Sequence, residues 1–175
     1  MKKLLVVVDM QNDFIDGALA NPEAQKIINN VAEYIKNFDG TVVATRDTHN
    51  TNYADTQEGK KLPVPHCIKD TQGWKINATV QNALTEKANT QIVNYIDKPV
   101  FGSIELGEYV KTVGYDEAIL IGVCTDICVI SNAMVIRAFS PETNITVVKD
   151  LCAGVTPESH ETAITAMKAC QIDII

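Results

Sequence analysis

The sequence predicts an α/β fold with a mostly parallel sheet covered by helices on both sides. Apolar, β-rich runs alternate with stretches of helical periodicity along the chain. The runs are short and continuously apolar, as strands buried on both faces are, so the sheet is read as parallel with helical crossovers. The 175 residues are 46% apolar and 21% charged. That suits one globular domain over residues 1–175, large enough for a sizeable core. No repeat, linker or low-complexity tract divides it.

The first strand is Lys3 to Val8, cut off by Asp9. Pro22 to Phe38 carries Ile27, Ile28, Val31, Ala32 and Ile35 at helical spacing, with Asn21 as N-cap and Pro22 at the first helical position. Thr41 to Thr45 is a second strand, Asn77 to Glu86 a short helix, and Gln91 to Ile96 a third strand. Ile104 to Val113 is an amphipathic helix, Ala118 to Val123 a fourth strand, Asp126 to Phe139 a helix, and Ile145 to Val148 a fifth strand. Thr156-Pro157-Glu158 opens a last helix with a Thr cap, Pro at the first position and an acid near the dipole's positive end. Ile172 to Ile175 gives a sixth strand. Residues 46–75 are the anomaly: a long polar stretch with Pro63 and Pro65 and little regular pattern. A loop of that length in a compact domain is functional or disordered, and Trp74 with the adjoining His66 and Cys67 argues for function.

Net charge is −7 and no Lys/Arg cluster occurs, so a nucleic-acid partner is not expected. The apolar run after Met1-Lys2-Lys3 ends after five residues at Asp9, too short for a signal peptide, and no membrane segment is visible. The five cysteines, Cys67, Cys124, Cys128, Cys152 and Cys170, are then expected as free thiols in the cytoplasm.

In open parallel sheets, ligands bind beyond the carboxyl ends of the strands. The first strand ends at Asp9, the second at Arg46-Asp47-Thr48-His49, the third at Asp97-Lys98, and the fourth leads through Gly122-Val123-Cys124-Thr125-Asp126 into Cys128. An acid, a ligand pair, an amine and a thiol thus meet at one edge. Cys128, in the first turn of a helix, is the expected nucleophile, because a helix N-terminus favours the thiolate. Cys124, Cys152 and Cys170 are read as ordinary structural thiols. Asp9 is the preferred base, with Lys98 holding both Asp9 and the developing thiolate; the alternatives are a Cys–His pair using His49 or His66, or a merely structural Asp9–Lys98 ion pair. His160, in the last helix, is expected to be solvated and silent. Asp47 and His49, two apart on an extended segment, can face one way. With His66 they offer three ligands for a divalent metal such as zinc, iron or manganese, and leave positions open for water or substrate. Cys67 should point away if His66 points in.

These residues resemble the isochorismatase-like cysteine hydrolases, and within them the nicotinamidase/pyrazinamidase branch. The resemblance covers nearly the whole chain. It rests on Val8-Asp9-Met10-Gln11-Asn12-Asp13-Phe14, on Lys98-Pro99-Val100-Phe101-Gly102-Ser103, and on Gly122-Val123-Cys124-Thr125-Asp126-Ile127-Cys128-Val129. It implies a three-layer, Rossmann-like α/β/α fold around a six-stranded sheet, a cis peptide before Cys124, and catalysis by Asp9, Lys98 and Cys128. It also implies an oxyanion hole from the backbone N–H groups of Cys124 and Cys128. Asp47, His49 and His66 match the metal ligands of the nicotinamidase branch, with Glu58 favoured over Asp55 as a further carboxylate and zinc as the foremost metal.

One departure concerns the ring-stacking aromatic residue that many nicotinamidases carry before the metal-binding histidine. Leu62-Pro63-Val64-Pro65-His66 has none, and Phe14, Phe101, Tyr53 or Trp74 are the candidates to replace it, with Phe14 and Phe101 taken as the substrate contacts. The expected reaction is hydrolysis of nicotinamide to nicotinate and ammonia. The rivals are hydrolysis of another small amide, carbamoyl compound or ureide, a catalytically silent binding protein, and a thiol redox protein. The last is disfavoured by the absence of C-x-x-C. The expected partner is a small-molecule amide, with assembly into a homo-oligomer left open.

Overall fold

The computed structural model describes residues 1–175. In chain order the elements are β1 (Lys3–Val8), α1 (Asn12–Ile15), α2 (Pro22–Asn37), β2 (Thr41–Asp47), α3 (Gln57–Lys61), α4 (Ala78–Lys87), β3 (Val93–Lys98), α5 (Ile104–Val113), β4 (Glu117–Val123), α6 (Ile130–Phe139), β5 (Asn144–Ala153), α7 (Pro157–Ala169) and β6 (Asp173–Ile174). A 3₁₀ turn covers Tyr53–Asp55, and a π-helical turn, Thr125–Val129, runs directly into α6.

The six strands form one sheet in the order β3-β2-β1-β4-β5-β6, every neighbouring pair parallel. Successive side chains on a strand point to opposite faces, and β1 shows the result. Leu5 and Val7 pack with Ile27, Val31 and Ile35 of α2 and Val80 and Leu84 of α4. Leu4, Val6 and Val8 pack on the other side with Leu106 and Val110 of α5, Ala133 and Ile136 of α6, and Ile164 and Met167 of α7. The expected three layers follow from this two-sided burial. No helix is long and apolar enough to cross a membrane.

Local signals place the helices. The Asn21 side chain accepts a hydrogen bond from Glu23 N–H, with Pro22 opening α2, as expected. Asn21 Nδ2 also donates to the Gly154 carbonyl at 2.7 Å, tying the start of α2 to the end of β5. Asn21→Ala removes both bonds and should cost about 1–2 kcal/mol of stability. In a thermal melt this should appear as a drop of roughly 2–8 °C; an unchanged melting temperature would contradict the cap's role.

Gly122 has a φ of +115° where β4 passes β1, and a Cβ there would collide with the Val8 backbone. Both the conformation and the close approach demand glycine.

Several boundaries differ from expectation. β2 runs on to Asp47, and β3 lies later than residues 91–96, so Lys98 is itself the last residue of its strand. β5, expected over 145–148, continues to Ala153. Its second half was hidden by Lys149 and Asp150, which interrupt the apolar run; pairing resumes after a register shift, with Cys152 beside Gly122 and Ala153 beside Val123. α1, only four residues long, is too short to show a helical period.

The stretch over residues 46–75 is ordered by specific ties. Thr56 caps α3 by accepting from Gly59 N–H. His49 bridges to Ile68 in parallel fashion, Gln11 bridges to Ile76, and Cys67 N–H donates to Asp13 Oδ2 at 2.7 Å. The segment therefore doubles back and returns His66 to the side of His49.

Candidate active site and metal centre

The order of the sheet reverses between β1 and β4, and a crevice opens there beyond the strand ends. Asp9 follows β1 with a φ of +48°, a left-handed conformation uncommon outside glycine. Its N–H donates to the Thr45 carbonyl, and Thr45 Oγ1 donates to Asp9 Oδ1 at 2.7 Å. Lys98 reaches in from the end of β3, 1% exposed. Its Nζ lies 2.6 Å from Asp9 Oδ2, 3.4 Å from Cys128 Sγ and 3.5 Å from Asp47 Oδ1, and it donates to the Val100 carbonyl. Cys128 comes from the π-helical turn after β4, behind a cis Val123–Cys124 peptide of the kind the resemblance implied. Three side chains far apart in sequence thus meet around one ammonium group.

Burial and the neighbouring charges set the protonation of this trio. Complete burial raises the Asp9 pKa against the pull of Lys98. Burial alone would lower Lys98, but the charges of Asp9, Cys128 and Asp47 outweigh it, and the ammonium is held more firmly than usual. The Cys128 thiol is pushed well up by burial and by Asp9, despite Lys98. Burial thus opposes the stabilisation of the thiolate that the helix N-terminus offers. In a fully buried site beside a carboxylate, desolvation favours the neutral thiol, whose proton must then be accepted by a neighbouring base. Cys124 is raised to about 12, chiefly by burial and then by Asp126.

Asp47, His49, Glu58 and His66 each offer a ligand atom, all within 4.8 Å of one another. His49 Nε2 lies 2.9 Å and His66 Nε2 3.4 Å from Asp47 Oδ2, and Glu58 Oε1 lies 3.7 and 3.5 Å from the same two nitrogens. His66 Nδ1 donates to the Val64 carbonyl at 2.8 Å, which leaves Nε2 as the inward lone pair. Burial would raise Asp47, but the neighbouring imidazoles and the charge of Lys98 outweigh it and hold its carboxyl well below the usual carboxylate range. Two imidazole nitrogens and two carboxylate oxygens converging in a buried pocket fit a divalent cation. Glu58 is brought into the cluster while Asp55 is exposed on the 3₁₀ turn. Cys67 is buried and outside the cluster.

Between trio and cluster lies a narrow cavity of about 50 Å³. Phe14, Leu19, Leu62, Phe101 and Ile127 form its apolar walls, and Asp47, Glu58, His66, Cys124 and Cys128 its polar side. A shallower groove of about 770 Å³ at the opposite edge of the sheet holds no cysteine, histidine or lysine. Of the four aromatic candidates, only Phe14 and Phe101 line the cavity. Tyr53 is buried behind the histidines, edge-on to both rings, with its hydroxyl on the Leu62 carbonyl. Trp74 stacks on the Arg46 guanidinium 4.1 Å away and donates to Thr48.

One further residue belongs to this site without having been singled out from the sequence. Gln11 is fully buried: its Oε1 accepts from Asp47 N–H, and its Nε2 donates to the carbonyls of Asp47 and Trp74. It fixes the backbone of a ligand residue. The signal available was its place two residues after Asp9. His160, expected to be solvated, is half-buried, with its Nδ1 2.8 Å from the Thr125 hydroxyl. α7 folds back over the turn that carries the cysteines, a contact that only the tertiary fold creates.

Residues 3–175 match the isochorismatase domain family. An isochorismatase family protein of Bacillus subtilis, PncA, is 31% identical over 175 residues, covering 94% of this chain and 93% of that protein. Among solved structures, the nicotinamidase/pyrazinamidase PncA of Bacillus subtilis superposes with a TM-score of 0.81 at 28% identity, covering 99% of each chain. The pyrazinamidase of Pyrococcus horikoshii, solved in complex with zinc, gives 0.77 at 28% identity, covering 100% of this chain and 99% of that one.

Proposed function

The chain belongs to the isochorismatase family, and from that membership and the geometry of its site we propose that it hydrolyses nicotinamide to nicotinate and ammonia. The observation that carries the reading is the Lys98 ammonium, 2.6 Å from Asp9 and 3.4 Å from Cys128, beside a two-histidine, two-carboxylate cluster. The flat cavity walls of Phe14 and Phe101 support a small aromatic amide as substrate.

In this mechanism the amide carbon is attacked by Cys128 Sγ while Asp9 accepts the thiol proton. Lys98 offsets the negative charge that forms on sulfur. The carbonyl oxygen gains charge in the tetrahedral intermediate, and the backbone N–H groups of Cys124 and Cys128 are the donors we assign to it. Asp9 then returns the proton to the departing nitrogen, which leaves as ammonia. The raised pKa of Asp9 suits it to hold that proton in transit. In the second half, Asp9 takes a proton from water as the water attacks the thioester, and hands it to Cys128 Sγ as the C–S bond breaks and nicotinate leaves.

Asp47, His49 and His66, with Glu58 as the fourth, are the residues we assign to a divalent metal, zinc foremost. Such an ion would supply Lewis-acid polarisation and a fixed anchor for a substrate donor atom. Five free cysteines support a reducing, cytoplasmic setting.

The test is ammonia release from a panel of nicotinamide, pyrazinamide, a carbamoyl compound and a ureide, run with and without a chelator. Nicotinamide should be the best substrate, and chelation should remove at least 90% of activity, about a tenfold loss or more. His49→Ala should also lose bound metal by elemental analysis of the purified protein. Full activity in protein with substoichiometric metal would overturn the metal assignment. Selective turnover of the ureide would overturn the substrate.

A further inference from the structure

We propose that Asn132 is a positioning residue that clamps the loop after Lys98 onto the turn bearing Cys128, and so sets the lysine–thiol separation. Asn132 lies one helical turn after Cys128 in α6 and is fully buried. Its Oδ1 accepts from Ser103 N–H at 3.0 Å. Its Nδ2 donates to the Phe101 carbonyl at 3.1 Å and to the Cys128 carbonyl at 2.8 Å. Both donor hydrogens are used, one on the turn of Cys128 and one on the loop after Lys98. A single side-chain amide therefore joins the backbone of the nucleophile to the backbone of the Lys98 segment.

What it holds matters to the chemistry. The segment between Lys98 and Ser103 contains Val100, whose carbonyl accepts from Lys98 Nζ, and Phe101, which walls the cavity. Ser103 in turn caps α5 by accepting from Leu106 N–H. At Gly102 the loop comes so near α6 that a Cβ would lie 3.0 Å from Val135 Cγ2 and 3.3 Å from the Ser131 carbonyl. The loop thus rests directly on α6, and the amide of Asn132 is its polar fastening. Side chains cannot supply this by packing alone, because the buried Ser103 N–H needs a partner. The role of Asn132 in turnover rests on the hydrolase reading above, but its role in thiol placement does not.

The experiment measures two quantities in Asn132→Asp, Asn132→Ser and Gly102→Ala. One is kcat and KM for nicotinamide. The other is the rate of Cys128 carbamidomethylation by iodoacetamide, resolved by peptide mass mapping so that exposed Cys170 is counted separately. Asn132→Asp keeps the shape and loses both donors; it should lower kcat by about tenfold to a hundredfold, with the larger share of the loss in kcat rather than KM. Cys128 alkylation should change at least threefold, because Lys98 no longer sits at its place beside the sulfur. Gly102→Ala pushes the loop outward by tenths of an ångström without touching the amide and should shift both readouts in the same direction by a smaller factor. It also serves where the Asn132 variants fail to fold. In a Lys98→Ala background, Gly102→Ala should add nothing to the change in alkylation.

Wild-type alkylation and kcat in any folded Asn132 variant would overturn the clamp. So would wild-type values in Gly102→Ala if no Asn132 variant folds, or an additive effect in the Lys98→Ala background. If the wild-type protein releases no ammonia from nicotinamide, the substrate reading fails, while the alkylation rates still decide the role of Asn132.

Discussion

Cys128→Ala is expected to abolish amide hydrolysis, with a loss on the order of 10⁴-fold or more, in a protein that folds and binds metal as the wild type does. No other thiol can replace it. Cys124 is held at the start of the same turn, and its backbone, not its side chain, is the part assigned to the reaction. The fold should survive because the change removes one small buried atom and leaves Lys98 paired with Asp9 and in reach of Asp47. Ammonia release under single-turnover conditions, with circular dichroism and metal content measured on the same sample, checks this. Cys124→Ala should be far milder. Turnover within tenfold of wild type in folded, metal-loaded Cys128→Ala would sink the covalent route through Cys128.

Asp9→Asn should be nearly as damaging, and Lys98→Ala similar. General acid–base catalysis contributes roughly 10²–10⁴-fold, and an amide side chain can neither take the thiol proton nor return one to ammonia. The two variants also unbalance a buried pair. Removing either partner leaves a charge whose side chain is 0% exposed without its nearest counter-ion, a change that costs about 3–5 kcal/mol in comparable settings. Kinetics must therefore be taken below the lowered melting temperature of each variant. The double variant should lose little more activity than either single one, because the three groups act as a unit. Near-normal kcat for Asp9→Asn across the pH range would move the base to His49 or His66. The metal assignment would fall with it.

Much of this site was legible because the strand ends announce it. Asp9, Asp47, Lys98 and Cys128 each lie at or just beyond an apolar run, and a parallel sheet brings such ends to one edge whatever the loops do. Asn21 and Thr156 likewise marked helix starts that the structure keeps. What stayed hidden depends on contacts with no local trace. Gln11 looks like an ordinary polar residue until it is found bonded to Asp47 and Trp74. His160 reads as a surface position until α7 packs on the cysteine turn. β5 was cut short because Lys149 and Asp150 break its apolar pattern, although the backbone continues through them.

The strand order also governs when the site comes into being. β1, β2 and β3 lie together on one side and are consecutive in sequence, so they can associate while the rest of the chain is still being made. β1 then waits with one edge open, because its other neighbour, β4, pairs Lys3 with Glu117 across most of the intervening sequence. Closing so long a loop is slow, and an open apolar strand edge in the meantime invites pairing with other chains. On that order Asp9 and Lys98 would be in place before that step, and Cys128 would arrive with it. Acquisition of the buried thiol would thus mark the joining of β1 and β4. Refolding followed by pulsed thiol labelling should find Cys128 protected no earlier than β1 and β4 are joined.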